Sequence, residues 1–145
     1  MDVNLTKKHF DCLRTHSIEC YPEEACALII GARVDDAIKV TDVVIAENVA
    51  ANKERFFEVD PATRIRLEKQ YRGQSCGVIG VFHSHPNGEA RPSATDEKMV
   101  IERELFWLVA SITQSGDFQL KGYIPGSTEG FEPVNLVIEG NVENE

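Results

Sequence analysis

Apolar residues in the first half of the chain are spaced in ways that predict one helix and three strands. Four apolar side chains recur at nearly helical intervals before Tyr21-Pro22, which ends the pattern. A short apolar run closed by Gly31 is typical of a buried strand, and the loosely alternating stretch after the polar turn at Asp35-Asp36 predicts its hairpin partner. The predicted elements are a helix over residues 4–20 and strands at Ala25–Ile30, Lys39–Ala46 and Arg55–Val59.

The second half of the chain places further helices and strands around one strongly apolar segment. Cys76–Phe82 is almost wholly apolar, which predicts a central strand covered on both faces. The other predicted elements are helices over Ala62–Tyr71, after Pro61, and about Ala94–Glu104, and strands at Phe106–Ile112, Phe118–Ile124 and Leu136–Ile138. This order predicts a single α/β domain over residues 1–145, with a mixed central sheet flanked by helices and a frayed acidic end at about 140–145.

The composition argues against nucleic acid and membrane surfaces as partners. The chain has 145 residues, of which 42% are hydrophobic and 27% charged, as in an ordinary globular domain. Its 15 basic and 24 acidic residues give a net charge of -9, which repels phosphate backbones and anionic lipid. No apolar run approaches the ~20 residues of a bilayer span, and the N-terminus does not resemble a secretory signal. The four cysteines lack CxxC spacing, so we expect reduced thiols and a cytoplasmic location.

Two histidines at the end of the central strand are the first candidates for chemistry. His83 and His85 are two residues apart, so an extended backbone points both imidazoles to the same side of the sheet. That arrangement suits two ligands of one metal ion. Taken alone, the same pair is more typical of surface histidines beyond a strand end.

A carboxylate on the following helix adds a third candidate ligand. Ser93-x-x-Asp96 has the pattern of a capping box, in which the two side chains cap the helix start. Asp96 also shares its predicted helical face with Met99 and Val100, which are expected to face the sheet. Because a buried, unpaired carboxylate is costly, a divalent cation would stabilise it. Two imidazoles and one carboxylate leave a fourth position open, as in catalytic zinc sites.

Such a site also needs a proton acceptor, since its ligands supply no spare base. Glu23 and Glu24 stand at the start of the buried strand Ala25–Ile30, which we expect to run beside Cys76–Phe82. Either glutamate would then lie near the histidines. The residue pattern by itself does not choose between them, and a solvated charge at a strand end remains the alternative.

These segments together resemble a known motif. His83-x-His85-Pro86 followed by Ser93-x-x-Asp96, with Glu24-Ala25-Cys26-Ala27-Leu28 and Gly31 upstream, resembles the JAMM motif of the Mov34/MPN/PAD-1 metallopeptidases. The likeness extends over most of the chain, from about Leu5 to Ile124. It implies a JAB/MPN fold, which is similar to that of cytidine deaminases, although the HxE…PCxxC signature of those enzymes is absent.

The resemblance also implies a set of roles. It assigns His83, His85 and Asp96 as zinc ligands, Glu24 as general acid and base, and the Ser93 hydroxyl as a donor to the oxyanion. The implied reaction is hydrolysis of an amide bond by metal-activated water, and in this family the leaving amine is often a lysine side chain of an isopeptide bond.

Details of the motif resemble two groups of family members. One group is the prokaryotic stand-alone peptidases, whose substrates include ubiquitin-like and sulfur-carrier protein tails. The other is the N-terminal domain of tail-assembly proteins from lambda-like phages, which would process or dock a structural protein in the host cytoplasm. A non-catalytic MPN scaffold is a third alternative, but such a scaffold is expected to lack a ligand or the glutamate, and this chain lacks neither. A protein or peptide is the expected partner, and the sequence does not indicate an oligomeric state.

Two other features are weaker candidates. Cys12 and His16 are four residues apart on the first predicted helix, as in a metal-binding pair, but no third ligand lies near them in sequence. Trp107, between Phe106 and Leu108, is expected to be a core residue.

Overall fold

The fold begins with a strand rather than a helix. In the computed structural model, which describes residues 1–98, 104–126 and 130–140, strand β1 is Asp2–Thr6 and helix α1 is Lys7–Cys20. The predicted helix was therefore wrong for residues 4–6. Val3 and Leu5 alternate with polar residues and are 0% and 1% exposed, so they follow the strand period. Thr6 caps α1, because its hydroxyl accepts a hydrogen bond from the His9 N–H at 3.2 Å.

Most of the other predicted elements are confirmed, with changed bounds. The elements after α1 are β2 Cys26–Val34, β3 Ala37–Ala46, α2 Pro61–Gln70, β4 Gly77–Pro86, α3 Ala94–Lys98, β5 Phe106–Ile112, β6 Phe118–Pro125 and β7 Phe131–Glu139. The predicted strand at Arg55–Val59 was wrong, since this segment contributes only an isolated bridge between Asn48 and Val59. Of the helix predicted to reach Glu104, residues 94–98 are helical, residues 99–103 lie outside the described residues, and Glu104 is in a turn.

The seven strands form one mixed sheet that closes on itself. Their order is β1-β3-β2-β4-β5-β6-β7, and β1 pairs in parallel with both β3 and β7, which joins the two ends of the sheet. Strand β4 lies between β2, which is antiparallel to it, and β5, which is parallel. The predicted central position of this strand is therefore confirmed. Its register places His83 opposite Cys26 on one side and Val109 on the other.

Each face of the sheet has its own apolar cluster, and a helix packs on each. Leu13 of α1 belongs to the first cluster, together with Phe82 and Phe106. Leu67 of α2 belongs to the second, with Trp107. The predicted mixed sheet with flanking helices is thus confirmed, and so is the core position of Trp107, which is 5% exposed.

Three smaller predictions concern the thiols, the membrane and the tail. All four cysteines are free thiols in the structure. Among the described residues, no helix has the length and apolar character needed to cross a bilayer. The frayed end predicted at about 140–145 falls outside the described residues from 141 onward.

Candidate metal centre

Both histidine side chains of strand β4 lie on the same side of the sheet. His83 is fully buried and His85 is partly buried, and their Nε2 atoms are 2.9 Å apart. The intervening Ser84 points to the opposite face and is also buried. The strand period alone therefore brings the two ring nitrogens together.

The α3 carboxylate completes a group of three donor atoms. Asp96 Oδ2 lies 3.1 Å from His83 Nε2 and 3.2 Å from His85 Nε2. The same oxygen accepts a hydrogen bond from the Ser93 N–H at 2.8 Å, and the Asp96 N–H donates to Ser93 Oγ at 3.0 Å. The capping box and the approach to the histidines, which the sequence offered as alternatives, thus occur together. The predicted packing of Met99 and Val100 lies outside the described residues.

The three donor atoms have the spacing expected around a small divalent cation. Zinc bonds of about 2.0–2.2 Å in a tetrahedral arrangement place neighbouring ligand atoms about 3.3 Å apart, close to the 2.9–3.2 Å separations found here. His85 Nδ1 lies 2.9 Å from the Glu89 carbonyl, which can only accept, so this nitrogen carries the ring proton. With Nδ1 protonated, Nε2 is the nitrogen of the neutral ring that can ligate a cation, and it faces Asp96 Oδ2. The residues present fit a divalent metal with nitrogen and oxygen ligands.

Glu24 is the glutamate that the fold brings to this group. A Glu24 carboxylate oxygen and one ring nitrogen from each of His83 and His85 all lie within 4.8 Å of one another. Glu24 is 5% exposed, whereas Glu23 is exposed on the surface. No hydrogen bond from the described residues reaches the Glu24 carboxylate, so it remains available to a water molecule or a substrate.

The position of Glu24 follows from the way β2 is joined to β4. The Ser84 N–H donates to the Ala25 carbonyl at 3.0 Å, and the Ala25 N–H donates to Ser84 Oγ at 2.8 Å. These bonds continue the antiparallel pairing beyond Cys26 and place Glu24 beside His85. Ser84 thus links the strand that carries the histidines to the chain that carries the glutamate.

The environment of the site shifts the pKa values of Glu24, Asp96 and His83 in different directions. Burial raises the pKa of Glu24 to about 7, the nearby His85 opposes this rise, and Asp96 adds to it. Burial also raises the pKa of Asp96, but its hydrogen bonds with His83 and His85 outweigh burial and hold that pKa well below its usual range. Burial lowers the pKa of His83, which favours the neutral ring. An anionic carboxylate beside a neutral imidazole suits metal ligation, and a glutamate with a pKa near neutrality suits proton transfer.

Ser93 lies at the rim of the site. Its hydroxyl oxygen accepts the Asp96 N–H, and within the described part of the chain its own proton has no acceptor. Ser93 is exposed, so the O–H is free to donate to a bound molecule.

Aromatic side chains hold the His83 ring. Phe57 stacks on it with ring centroids 4.2 Å apart and an interplanar angle of 12°, and Trp107 meets it edge-on at 5.4 Å. His83 Nδ1 is buried and finds no hydrogen-bond partner among the described residues. Packing rather than a hydrogen bond therefore orients this ring.

Sequence reasoning missed several of these supporting residues. Phe57 was assigned to a strand, and nothing in its neighbourhood signals a contact with a residue 26 positions away. The supporting role of Ser84 could have been predicted from the sequence. It is a polar residue between two candidate ligands on a buried strand, so it must find a hydrogen-bond partner on the opposite face. Tyr123, whose hydroxyl donates to the Ala90 carbonyl at 2.7 Å and so anchors the loop between His85 and Ser93, carried no signal.

Among the described residues, Cys12 and His16 do not form a second candidate metal site. His16 Nε2 lies 3.1 Å from the Cys26 carbonyl, and its Nδ1 lies 3.7 Å from Cys20 Sγ, so both ring nitrogens have partners. Within residues 1–98, 104–126 and 130–140, Cys12 and His16 belong to no group of three close metal-ligating side chains.

Comparison with known proteins identifies the family. The profile described as prokaryotic homologs of the JAB domain matches residues 6–121. The chain belongs to this family. The predicted JAMM/MPN resemblance is therefore confirmed, and the match extends from the end of β1 into β6.

Two named relatives and one solved structure are similar to this chain. A desampylase from Haloferax volcanii is 30% identical over 90 residues, which make up 62% of this chain and 63% of that protein. A CysO-cysteine peptidase from Mycobacterium tuberculosis is 25% identical over 123 residues, or 84% of this chain and 82% of that protein. The solution structure of a protein from Desulfitobacterium hafniense is 26% identical with a TM-score of 0.83, and the alignment covers 100% of this chain and 97% of that one. The chain thus matches less than two thirds of the desampylase but most of the other two proteins.

Proposed function

We propose that this prokaryotic JAB protein is a zinc-dependent peptidase or isopeptidase that hydrolyses an amide bond. The observation that carries the proposal is the convergence of His83 Nε2, His85 Nε2 and Asp96 Oδ2 beside a buried Glu24 carboxylate that no described residue hydrogen-bonds. Membership of the family and the peptidase names of two relatives support the same reaction.

His83, His85 and Asp96 would hold the zinc ion. Two imidazoles and one carboxylate form a three-ligand set of the catalytic kind. When bound, zinc supplies a lowered pKa for water and polarisation of the scissile carbonyl. The Glu89 carbonyl, which accepts from His85 Nδ1, fixes the tautomer that this role needs.

Glu24 acts as the general base and then as the general acid. In the metal-free protein, burial raises its pKa to about 7, and such a basic carboxylate suits acceptance of a proton from the attacking water and its return to the leaving amine. Its position within 4.8 Å of both candidate histidine ligands places it close to where that water must stand. Because no described residue hydrogen-bonds its carboxylate, Glu24 need not break an existing bond to accept the proton.

Ser93 donates a hydrogen bond to the oxyanion that develops on the carbonyl oxygen. Its oxygen accepts the Asp96 N–H, and the exposed hydroxyl keeps its own proton for a hydrogen bond to a substrate. A preorganised donor of this kind is typically worth about 3 kcal/mol in the transition state.

The substrate class we favour is a protein conjugate with a ubiquitin-like or sulfur-carrier tail, cleaved in the cytoplasm. Relatives named desampylase and CysO-cysteine peptidase support this choice. The net charge of -9 disfavours nucleic acid as a partner. Neither relative supports the phage-tail alternative. A purely structural scaffold would have no need of a complete donor set and a buried glutamate.

The test compares Glu24→Gln with Glu23→Gln. The probe is a small ubiquitin-like protein whose C-terminal glycine is joined by an amide bond to cysteine or to the side chain of lysine, with products detected by mass spectrometry. We expect Glu24→Gln to retain about one zinc per chain and to lose hydrolysis by at least about 100-fold, whereas Glu23→Gln keeps both. Full activity in Glu24→Gln would refute the role of this residue.

A further inference from the structure

We propose that Asn48 is a positioning residue that holds both Glu24 and the aromatic cover of His83, an inference that rests on the proposed role of Glu24. Asn48 lies two residues after the end of β3 and is 8% exposed. Its side-chain hydrogen bonds reach neither the imidazoles nor the Asp96 carboxylate. Its effect on the site passes through the backbone of other residues.

The side-chain amide of Asn48 uses its full hydrogen-bonding capacity. Nδ2 donates to the Glu24 carbonyl and to the Phe56 carbonyl, both at 3.0 Å. Oδ1 accepts from the Ala50 N–H and the Glu58 N–H, also at 3.0 Å. An asparagine side chain offers two N–H donors and one carbonyl oxygen with two lone pairs, so no other residue of this shape makes the same four bonds.

One consequence concerns the backbone of Glu24. Its carbonyl accepts from Asn48, and its N–H donates to the Lys53 carbonyl at 2.7 Å. Both main-chain groups of Glu24 are therefore bound to the segment of residues 48–58. The next residue, Ala25, is bound instead to Ser84 of β4. The chain at Glu24 is thus held on one side by the segment of residues 48–58 and on the other by β4. Asn48 provides one of the hydrogen bonds to the first of these.

The other consequence concerns Phe57, which is 7% exposed and stacks on His83. Asn48 binds the residue on each side of it, at the Phe56 carbonyl and the Glu58 N–H. Apart from the bridge at Val59, this segment has no strand ladder to hold it. The Asn48 amide supplies part of the order that a ladder would otherwise give.

The Asn48 amide therefore links the backbone of Glu24, the proposed base, to the segment that carries Phe57, whose ring stacks on His83. A displacement of about 1 Å at a catalytic group can cost about 100-fold in rate. We expect Asn48→Ala to lower kcat by about 100-fold while KM stays within about threefold. Zinc content stays at about one per chain, since the side chains of His83, His85 and Asp96 are untouched.

Asn48→Asp separates the two halves of the amide. It keeps an acceptor for the Ala50 and Glu58 N–H groups and loses both donors, including the one to Glu24. We expect slow amide exchange at Ala50 and Glu58 to survive in this variant while kcat falls about as far as in Asn48→Ala. Asn52→Ala and Asn52→Asp are the matched controls, because Asn52 lies in the same segment with an exposed side chain; both should keep wild-type kcat.

Two readouts need no substrate. In zinc-loaded Asn48→Ala, the exchange of the Ala50 and Glu58 amides should accelerate at least about tenfold, and emission of Trp107, which packs on Phe57 with centroids 5.8 Å apart, should shift to the red. In the unmodified protein, these two amides should exchange at least about tenfold more slowly than that of Asn52, a comparison that serves if the variants do not fold.

Unchanged exchange and emission in Asn48→Ala, wild-type kcat in Asn48→Asp, or equally fast exchange of the three amides in the unmodified protein would each overturn the inference. If the wild-type protein hydrolyses no probe, the proposed function fails instead. Amide exchange at Ala50 and Glu58 and the emission of Trp107 would then still decide whether Asn48 holds the segment of residues 48–58.

Discussion

The buried carboxylate of Glu24 is expected to weaken the fold in return for its reactivity. In the metal-free protein, burial raises its pKa from 4.5 to about 7, which means that the folded state disfavours the charged form. Replacing Glu24 by glutamine keeps the shape of the side chain and removes the charge. We therefore predict that Glu24→Gln is more stable than the wild type under conditions where the glutamate is ionised.

The sign and size follow from proton linkage. A carboxyl group with a raised folded-state pKa binds protons more tightly in the folded state, so stability falls as pH rises from about 4.5 to about 7. Because a tenfold change in proton affinity is worth about 1.4 kcal/mol, the shift corresponds to at most about 3.5 kcal/mol. The gain from Glu24→Gln should be absent below pH about 4.5, grow through this window and be complete above pH about 7.

Urea unfolding in the presence of a chelator measures this gain, with Trp107, the single tryptophan, as the fluorescent reporter. Scans at pH 4, 6 and 8 should separate the two proteins progressively. Glu23→Gln is the matched control, and because Glu23 is exposed its stability should stay within about 0.5 kcal/mol of wild type. Equal stabilities of Glu24→Gln and wild type at pH 8 would refute the account of Glu24 as a desolvated carboxylate.

Three further predictions address other parts of the structure. Ser93→Ala should lower kcat by about 100-fold with little change in KM, and an unchanged kcat would remove Ser93 from the mechanism. Phe57→Ala should lower the free energy of unfolding, measured in urea, by about 3 kcal/mol. It should also weaken zinc binding, measured by competition with a chelator. An unaltered zinc affinity would show that the Phe57 ring does not orient His83. Gly80→Ala should destabilise by about 1–3 kcal/mol, because its Cβ would overlap a buried phenylalanine ring on β5, whereas Gly77→Ala, with open space around it, should not; equal stabilities would contradict this packing.

The N-terminal segment shows where local periodicity misleads. Leu5 fits the helical spacing of the residues after it, and it also fits the strand period with Val3. Residues 2–6 form a strand rather than part of the helix because they pair with β3 and β7, which are distant in sequence. A strand that exists because it closes the sheet cannot be recognised from its own residues.

The segment at residues 55–59 shows the opposite error. Its aromatic and β-branched residues have strand propensity, yet hydrogen bonds to Asn48 hold it as an irregular loop with Phe57 turned onto His83. A single asparagine after a strand gives no indication that its amide will make four bonds. Tertiary contacts therefore override propensity here.

The chemical residues were more accessible to sequence reasoning than their supports. The strand period alone aligns His83 and His85, and the capping pattern alone places Asp96 at a helix start. The choice of Glu24 over Glu23 depended on the family resemblance, because strand alternation is not defined before the first paired residue. In the structure Glu24 is buried beside the histidines and Glu23 is exposed.

The central claim is that two imidazoles and one carboxylate share a metal ion, and elemental analysis of freshly purified protein tests it most directly. The account predicts about one zinc per chain in the wild type and in Glu24→Gln, and a loss of most of that zinc in His85→Ala and Asp96→Ala. Wild-type protein that contains no metal and takes up none from a zinc buffer would contradict it.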